Sequence, residues 1–474
     1  MGSAGLIVAS NRGPLTVVAV DDGDDAIRRG GGGLVSGMQA ALSAGGDAVW
    51  VCAALNDRER TLARQATDGR LSQVEQVAEA LHGDFDVHML PIDAQTFRTA
   101  YNGIANSTLW FVLHQLFDLP TQPVFDAGWR RQWAAYVRYN QAFADAIVAD
   151  AADGATVMVQ DYHLFLLPRM LRRARPDLRI GFFTHTPWVP PDYFTTLPDD
   201  IGWEIVDGIL GADVIGFHTQ RWADLFAHTA RAVCGVEADG VQVFPLGTDP
   251  DEMQRLGGRR SVDSALRVLN GIVGDRLVIG RVDRTELSKN VYRGLLSYRE
   301  LLRRHPEWRG RVVHCVYENP SREDLPAYRE YAASLERLAT DIDDEFSTDD
   351  WTSIVFEIQD DYPSALAALR RSDVVFVNSV RDGMNLVVLE GLVLSDRDPA
   401  VVISREMGAA DVLGDDAIVV NPFDVTAGAE ALHAALLLDQ DERARRVERM
   451  RAAAVRLPPG AWFQAQLDAL PAGK

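Results

Sequence analysis

Lys289 is the residue on which a chemical reading of this chain turns. Of 47 basic residues in the 474-residue sequence only two are lysine, and the other is Lys474. An ammonium is a compact point charge that suits a single phosphate oxygen, whereas a guanidinium is a planar fork. Lys289 follows Arg284 in Arg284-Thr-Glu-Leu-Ser-Lys289-Asn, behind a strand-like run and around a helix start. Cations at a helix N-terminus oppose its dipole, so the pair reads better as anion ligands than as structural charge. Glu318-Asn-Pro-Ser-Arg322 follows another strand and offers a further guanidinium. Arg381-Asp382-Gly383-Met384-Asn385-Leu386 leads into a helix that carries Glu390. Gly383 and Asn385 permit a tight turn with backbone N–H groups facing a ligand. Asp382 can then accept from sugar hydroxyls, and Glu390 can reach a ribose diol. A plain strand–turn–helix with a cap is the other reading of the same hexapeptide.

Three further groups carry chemistry. Ser10-Asn11-Arg12 ends the first strand candidate, and the glycine-rich stretch Arg29-Gly-Gly-Gly-Gly33-Leu opens a helix. Consecutive glycines let N–H groups approach a phosphate, although the stretch is neither a dinucleotide fingerprint nor a P-loop. Asp161-Tyr-His163 and Gly181-Phe-Phe-Thr-His185 each end a hydrophobic strand. An acid with two histidines fits a metal site, a capping role or sugar-hydroxyl recognition, and the spacing alone does not choose.

The elements that must hold these groups alternate along nearly the whole chain. Strands are expected at Gly5–Ser10, Val49–Ala53, Val87–Leu90, Thr156–Asp161, Ile180–His185 and Val214–His218, and again at Leu277–Val282, Val312–Tyr317, Ile354–Ile358, Val374–Asn378, Ala400–Ser404 and Ile418–Asn421. Helical stretches fit between them, among them Leu34–Ser43, Trp129–Asp150, Gln220–Cys234, Tyr292–Arg304, Asp324–Glu345 and Leu386–Leu394. Such alternation implies parallel sheets with helices on both faces. The fold class is therefore α/β, with two doubly wound Rossmann-like domains, residues 1–247 and 248–456. The seam is expected near Pro245-Leu-Gly-Thr-Asp-Pro250, with helices from about residue 457 to 474 crossing back over the first domain. In doubly wound folds ligands bind at the carboxyl ends of strands, where most of the polar groups above fall, so one site in a cleft between the domains is expected.

Composition narrows the class of partner. With 47 basic against 68 acidic residues the net charge is −21, which argues against nucleic acid or an anionic membrane as the main partner. Cys52, Cys234 and Cys315 show no C-x-x-C spacing and read as reduced core residues of a cytoplasmic protein. The segment MGSAGLIVASNRGP shows no signal-peptide pattern, and no apolar run approaches a membrane span.

Taken in order, the motifs S-N-R, G-G-L, Y-N-x-x-x-N-x-x-L-W at Tyr101–Trp110, D-Y-H-L, G-F-F-x-H, R-x-x-x-S-K, P-S-R and R-D-G-M-N-L-V are similar to those of the trehalose-6-phosphate synthase family. These are retaining glycosyltransferases of the GT-B fold, and the resemblance runs from about Leu6 to about Leu470. It implies a phosphate cradle for glucose 6-phosphate made of Arg12, Tyr101, Trp110 and Arg322. Gly32 or Gly33 would lie beside the donor phosphates, and Asp161 and His185 would contact the sugars. Arg284 and Lys289 would bind the donor diphosphate, Asp382 the donor glucose, the turn Gly383, Met384, Asn385 and Leu386 the phosphates, and Glu390 the ribose. No metal or other cofactor is implied. The partners are a nucleotide-glucose and glucose 6-phosphate, with self-association left open. Catalysis would rest on positioning and on charge stabilisation of the leaving group, with no carboxylate nucleophile of the double-displacement kind.

The chain departs from the family pattern at Gln160, Thr184–Pro190, Glu286-Leu287 and Leu389. Asp360-Asp361 lie in the loop that the resemblance places near the donor base. Guanine presents N–H donors side by side that suit a carboxylate, so GDP-glucose is a candidate donor beside UDP-glucose; solvated turn residues or a helix cap before Pro363 are the plainer reading. The rival functions are a transferase or pseudo-glycosyltransferase with another phosphorylated acceptor or a cyclitol donor, and a silent sugar-phosphate sensor.

Overall fold

The computed structural model describes residues 2–19, 25–29, 38, 47–66, 69–71, 77 and 85–472. The chain divides into two compact units, Met1–Pro245 with Pro459–Lys474, and Leu246–Pro458.

The N-terminal unit is built on β1 (Ala4–Ser10), β4 (Ala48–Ala53), β5 (Phe85–Leu90), β6 (Ala151–Gln160), β7 (Arg179–Thr184), β8 (Val214–Phe217) and β9 (Val241–Val243). They form a seven-stranded parallel sheet in the order β5-β4-β1-β6-β7-β8-β9. The central strands read as continuous apolar runs because both faces are covered; Ile7, Val8, Val157 and Val159 are wholly buried. Helices α1 (Ala127–Asp150), α2 (Leu167–Ala174), α3 (Asp199–Ile209) and α4 (Gln220–Cys234) flank the sheet. The last helix of this unit, Pro459–Asp468, inserts Trp462 against Phe183, with its indole N–H donating to the Phe244 carbonyl at 3.1 Å. A burial of that size ties the end of the chain to the N-terminal core.

The C-terminal unit repeats the plan with β10 (Leu277–Arg284), β11 (Val312–Asn319), β12 (Ile354–Ile358), β13 (Val374–Val377), β14 (Ala400–Ser404) and β15 (Ile418–Val420). Its six-stranded parallel sheet has the order β12-β11-β10-β13-β14-β15. Its helices include α5 (Val291–Arg304), α6 (Pro326–Phe346), α7 (Tyr362–Arg371) and α8 (Leu386–Leu394). In each sheet the first strand of the unit lies inside, so the winding reverses between β1 and β6 and again between β10 and β13. These are the topological switch points at which doubly wound sheets open a crevice at the strand carboxyl ends.

The α/β class and the doubly wound plan expected from the sequence are what is observed. Sequence reasoning missed several elements. A two-stranded hairpin joins β2 (Leu15–Ala19) and β3 (Asp25–Arg29), and helices cover Asp57–Gln65, Pro250–Gly257 and Arg260–Val273. The hairpin stands outside the main sheets, and Asp25-Ala-Ile-Arg-Arg29 lacks the apolar run that marks a buried strand. The segment Thr99–Leu109 winds as a wide π-helical stretch that passes directly into the helix Trp110–Leu113. The expected helix Leu34–Ser43 lies, apart from Met38, outside the described residues. Among the described residues no helix is long and apolar enough to cross a membrane.

Candidate active site

The C-terminal switch point is opened by a buried arginine. Strands β10 and β13 pair only through Ile279 and Gly280, opposite Val374 and Val375. Beyond that point Arg281, wholly buried, reaches across: one guanidinium N–H donates to Asn378 Oδ1 at 2.6 Å, just past β13. Its other arm donates to the Lys289 carbonyl at 2.5 Å and pairs with Asp283 Oδ2 at 2.9 Å. Helix α5 passes so close that a Cβ on Gly294 would sit 2.6 Å from this guanidinium, which is why glycine is needed there. Asn290 adopts a left-handed φ of 59° and donates to the carbonyls of Asn378 (2.8 Å) and Pro422 (2.7 Å). The short turn Leu287–Lys289 is thereby fixed at its following residue and at its last carbonyl.

Lys289 points its ammonium at Asp382, with Nζ to Oδ2 2.6 Å. Burial pulls the lysine pKa down, but Asp382 and Asp283 outweigh it and the net shift is upward, so the ammonium stays charged. Asp382 Oδ2 also accepts from Asn385 Nδ2 at 3.1 Å and from Ser379 Oγ at 3.4 Å. Asn385, at a φ of 72°, caps α8 by accepting from Val388 N–H at 3.3 Å. The N–H groups of the first turn of α8, with the positive end of its dipole, therefore stand beside Asp382 and its partner Lys289, a preformed anion site. Met384 is buried in the turn and Leu386 packs at its rim. The Asp382–Lys289 pair marks where a sugar and its phosphate could meet.

Arg284 is half exposed and pairs with Glu286 Oε1 at 2.9 Å. Arg322, at a left-handed φ of 51°, donates to Tyr328 OH at 2.5 Å and lies 3.9 Å from the same Glu286 oxygen. Glu390, half-buried on α8, has its pKa pushed up to about 7 by burial and then by Glu252. Asp361 caps α7, accepting from Ser364 N–H (3.2 Å) and Ser364 Oγ (2.6 Å), so the plainer reading of that residue is the geometry seen. Asp360 is exposed and accepts from Asn319 Nδ2 at 3.0 Å.

The N-terminal switch point gathers a second group. Asp161, just past β6, holds an unusual φ of 73°, anchored by its N–H to the Phe183 carbonyl at 2.8 Å and by Oδ1 accepting from His185 N–H at 3.2 Å. Strain of this kind in a non-glycine residue persists where the surroundings over-determine it. His185 Nε2 lies 3.0 Å from Gln160 Oε1. Burial, then His218, pushes the imidazole pKa well below its usual value. A neutral His185 that donates from Nε2 to Gln160 keeps Nδ1 as an acceptor. Tyr101, on the π-helical stretch, stacks between Phe97 and His163 at ring separations of 5.3 and 5.6 Å. Trp110 stacks on His114 at 3.9 Å. Arg12 is exposed at the carboxyl end of β1. Gly32 and Gly33 lie outside the described residues.

The structure brings Lys289, Asp382 and Asn385 together at one strand end and Asp161 and His185 at another, with partners behind them that sequence reasoning did not name. Arg281, Asp283 and Glu286 were passed over as binding or positioning groups. The available signal was a run of charges, Arg281-Val-Asp283-Arg284, inside a strand that otherwise reads as core. One grouping of His305, Glu307 and His433 brings possible metal donors together on the described residues. His305 stands at the C-terminal end of α5, the end opposite Lys289, and Trp308 Nε1–H already occupies His433 Nδ1 at 2.9 Å.

Comparison with known proteins shows the family. Residues 4–472 match the model of glycosyltransferase family 20. A trehalose-6-phosphate synthase of Mycobacterium sp. (strain JLS) is 33% identical, over 99% of this chain and 96% of its own length. A bifunctional trehalose-6-phosphate synthase/phosphatase of Thermoproteus tenax is 32% identical over 94% of this chain, which spans only 60% of that longer protein. The solved α,α-trehalose-phosphate synthase (UDP-forming) from Burkholderia xenovorans, in complex with glucose-6-phosphate, superposes with a TM-score of 0.81 at 26% identity and covers 98% of this chain and 99% of its own. With the order of the motifs, the two parallel sheets and a match over nearly its whole length in agreement, the chain belongs to glycosyltransferase family 20.

Proposed function

We propose that this chain is an α,α-trehalose-6-phosphate synthase that transfers glucose from UDP- or GDP-glucose to glucose 6-phosphate with retention of configuration. The observation that carries the reading is the Lys289–Asp382 pair beside the α8 N-terminus at the C-terminal switch point. A nucleotide-sugar needs two services there: stabilisation of a departing diphosphate, and fixation of the sugar. Lys289, Arg284 and the backbone amides before α8 supply the first. Asp382 accepts from glucose hydroxyls and supplies the second. The names of the Mycobacterium and Burkholderia relatives support the same product and, for the latter, a uridine nucleotide and glucose-6-phosphate.

The mechanism follows from what the site offers. The acceptor hydroxyl attacks the anomeric carbon on the face that the diphosphate leaves, and a leaving-group oxygen takes its proton. No residue near Lys289 is placed as a covalent nucleophile in this reading; Asp382 is held by Lys289, Asn385 and Ser379 as a hydroxyl acceptor. Catalysis is positioning and electrostatics, independent of metal. On the N-terminal unit, Arg12, Tyr101 and Trp110 are the proposed ligands of the acceptor phosphate, with Asp161 and neutral His185 contacting sugar hydroxyls. Arg322 of the C-terminal unit is the further phosphate ligand.

The donor base separates two readings. With Asp361 committed to capping α7, guanine recognition would rest on Asp360. The test is to incubate the protein with glucose 6-phosphate and each of UDP-, GDP- and ADP-glucose, and to identify products by NMR and mass spectrometry. An α,α-1,1-linked disaccharide phosphate is expected. Its absence with every donor, despite nucleotide binding, would move the assignment to another acceptor or a cyclitol donor. A strong UDP-glucose preference would remove the role of Asp360.

Glu390 gives a pH signature. Ionised, it accepts both hydroxyls of a ribose diol; protonated, it offers one fewer acceptor. With its pKa near 7, donor affinity should rise about 3- to 10-fold between roughly pH 6 and pH 8, measured by calorimetry with the preferred nucleotide-glucose. Glu390→Gln should flatten that dependence. The stability sign is opposite: a raised carboxyl pKa means the folded unit holds the proton longer, so stability falls as pH rises from the ordinary carboxylate range through 7.

A further inference from the structure

We propose that Glu286 is a positioning residue that sets Arg284 and Arg322 together, so that one buried carboxylate tunes the grip on both phosphate-bearing substrates. The inference rests on the synthase reading, in which Arg284 faces the donor diphosphate and Arg322 the acceptor phosphate.

Glu286 is wholly buried and cannot itself touch a substrate. The backbone explains how it arrives there. Strand β10 pairs with β11 through Arg284 opposite Asn319, and Thr285 N–H then donates to the Asn319 carbonyl at 2.8 Å. A tight turn, Glu286 N–H to the Arg284 carbonyl at 2.6 Å, then swings the next side chain inward towards the Ser321-Arg322 loop. There Oε1 accepts from Ser321 Oγ at 3.0 Å, forms an ion pair with Arg284 NH1 at 2.9 Å, and lies 3.9 Å from Arg322 NH2. The second oxygen, Oε2, makes no hydrogen bond among the described residues.

Burial alone would protonate such a carboxyl. Arg284, Arg322 and Lys289 together more than cancel that penalty, so Glu286 stays ionised. It is therefore a common counter-ion for cations that reach it from two loops. Arg322 is held from the other side by Tyr328, through the hydroxyl contact and with the guanidinium 5.4 Å from the ring centroid. Arg284, half exposed, has no such second brace among the described residues, so the Glu286 contact sets its direction. An aimed guanidinium loses less entropy on meeting a phosphate than a free one.

The prediction is a joint effect from a residue in contact with neither substrate. Glu286→Gln keeps the shape and removes the charge. It should raise KM for the nucleotide-glucose and for glucose 6-phosphate, each by about 10-fold or more, whereas Arg284→Ala should raise mainly the donor KM and Arg322→Ala mainly the acceptor KM. Glu286→Asp, which keeps the charge one methylene short, should recover part of both. Thermal melting of each variant reports folding separately. The proposal is overturned if Glu286→Gln, folded as judged by its melting curve, leaves both KM values unchanged or shifts only one. It is equally overturned if Glu286→Asp is no better than Glu286→Gln. If Glu286→Gln fails to fold, the Glu286→Asp variant decides alone: both KM values shifted together support the role, and one or none overturns it. Direct binding of UDP-glucose, GDP-glucose and glucose 6-phosphate to the unmodified protein keeps the two levels apart. If neither substrate class binds, the synthase reading fails; if both bind and the Glu286 variants behave like wild type, only the positioning role fails.

Discussion

Replacing Lys289 by methionine should lower kcat/KM for glucosyl transfer by about 10²- to 10⁴-fold. Methionine keeps the reach of the side chain and removes the ammonium, so the loss reports charge and not a cavity. The ammonium is held by an aspartate at 2.6 Å and by a turn locked at Lys289's own carbonyl and at Asn290. It is thus aimed before any substrate arrives, and a preorganised charge in a partly dry site is worth far more than the same charge in water. Arg284 cannot compensate, because it is half exposed and anchored to a different carboxylate. Lys289→Arg should recover little: a planar fork does not fit where one point charge meets Asp382 Oδ2. The measurement is steady-state transfer with each variant at saturating acceptor. Arginine activity close to that of lysine would defeat the point-charge argument, and unchanged activity in Lys289→Met would remove Lys289 from the chemistry.

Arg281→Met should destabilise the C-terminal unit by about 3–5 kcal/mol, the usual cost of removing one member of a buried ion pair. Arg281 and Asp283 are both completely buried, and Asp283 stands opposite Glu318 in the β10–β11 register. Burial raises the pKa of Asp283 and raises that of Glu318 well above the carboxylate range, while Arg281 pulls both back. Without the guanidinium, two carboxyls face each other across neighbouring strands with the Lys289 ammonium left to offset them. The sign of the pH dependence follows. A raised carboxyl pKa means that the folded state binds more protons than the unfolded one, so stability falls as pH rises. In the variant that fall should be steeper. Urea midpoints for wild type and Arg281→Met, from about pH 5 to about pH 8, test it: a gap that widens with pH is expected, and a constant or narrowing gap would contradict the charge account. Because Arg281 also holds the Lys289 carbonyl and Asn378, kcat should fall in the fraction that remains folded.

How much of this was written in the sequence differs by level. The strands Ile354–Ile358 and Ala400–Ser404 and the helix Leu386–Leu394 are where local pattern put them, since an apolar run bounded by turn residues, or a helix behind an Asn cap, is decided within a few neighbouring residues. The π-helical Thr99–Leu109 and the hairpin β2–β3 were not legible, because neither carries a period that sequence patterning can register. Within the site, Lys289, Asp382, Asn385 and Glu390 stood out by residue type and by following a strand. Asp361 stood out too, and the structure gives it to the first turn of α7.

By itself, then, the sequence determined the α/β class, the strand ends that carry the candidate polar residues, and a family resemblance that the comparisons bear out. Tertiary structure alone decided the partnerships: Lys289 with Asp382 across 93 residues, Arg281 with Asn378 across 97, Glu286 with Ser321 across 35. Secondary structure follows from neighbours along the chain, whereas the partner of a charge depends on which strands become adjacent. Strand order, with β10 and β13 side by side and splayed beyond Gly280, is fixed only when the helices have crossed over and the sheet has closed.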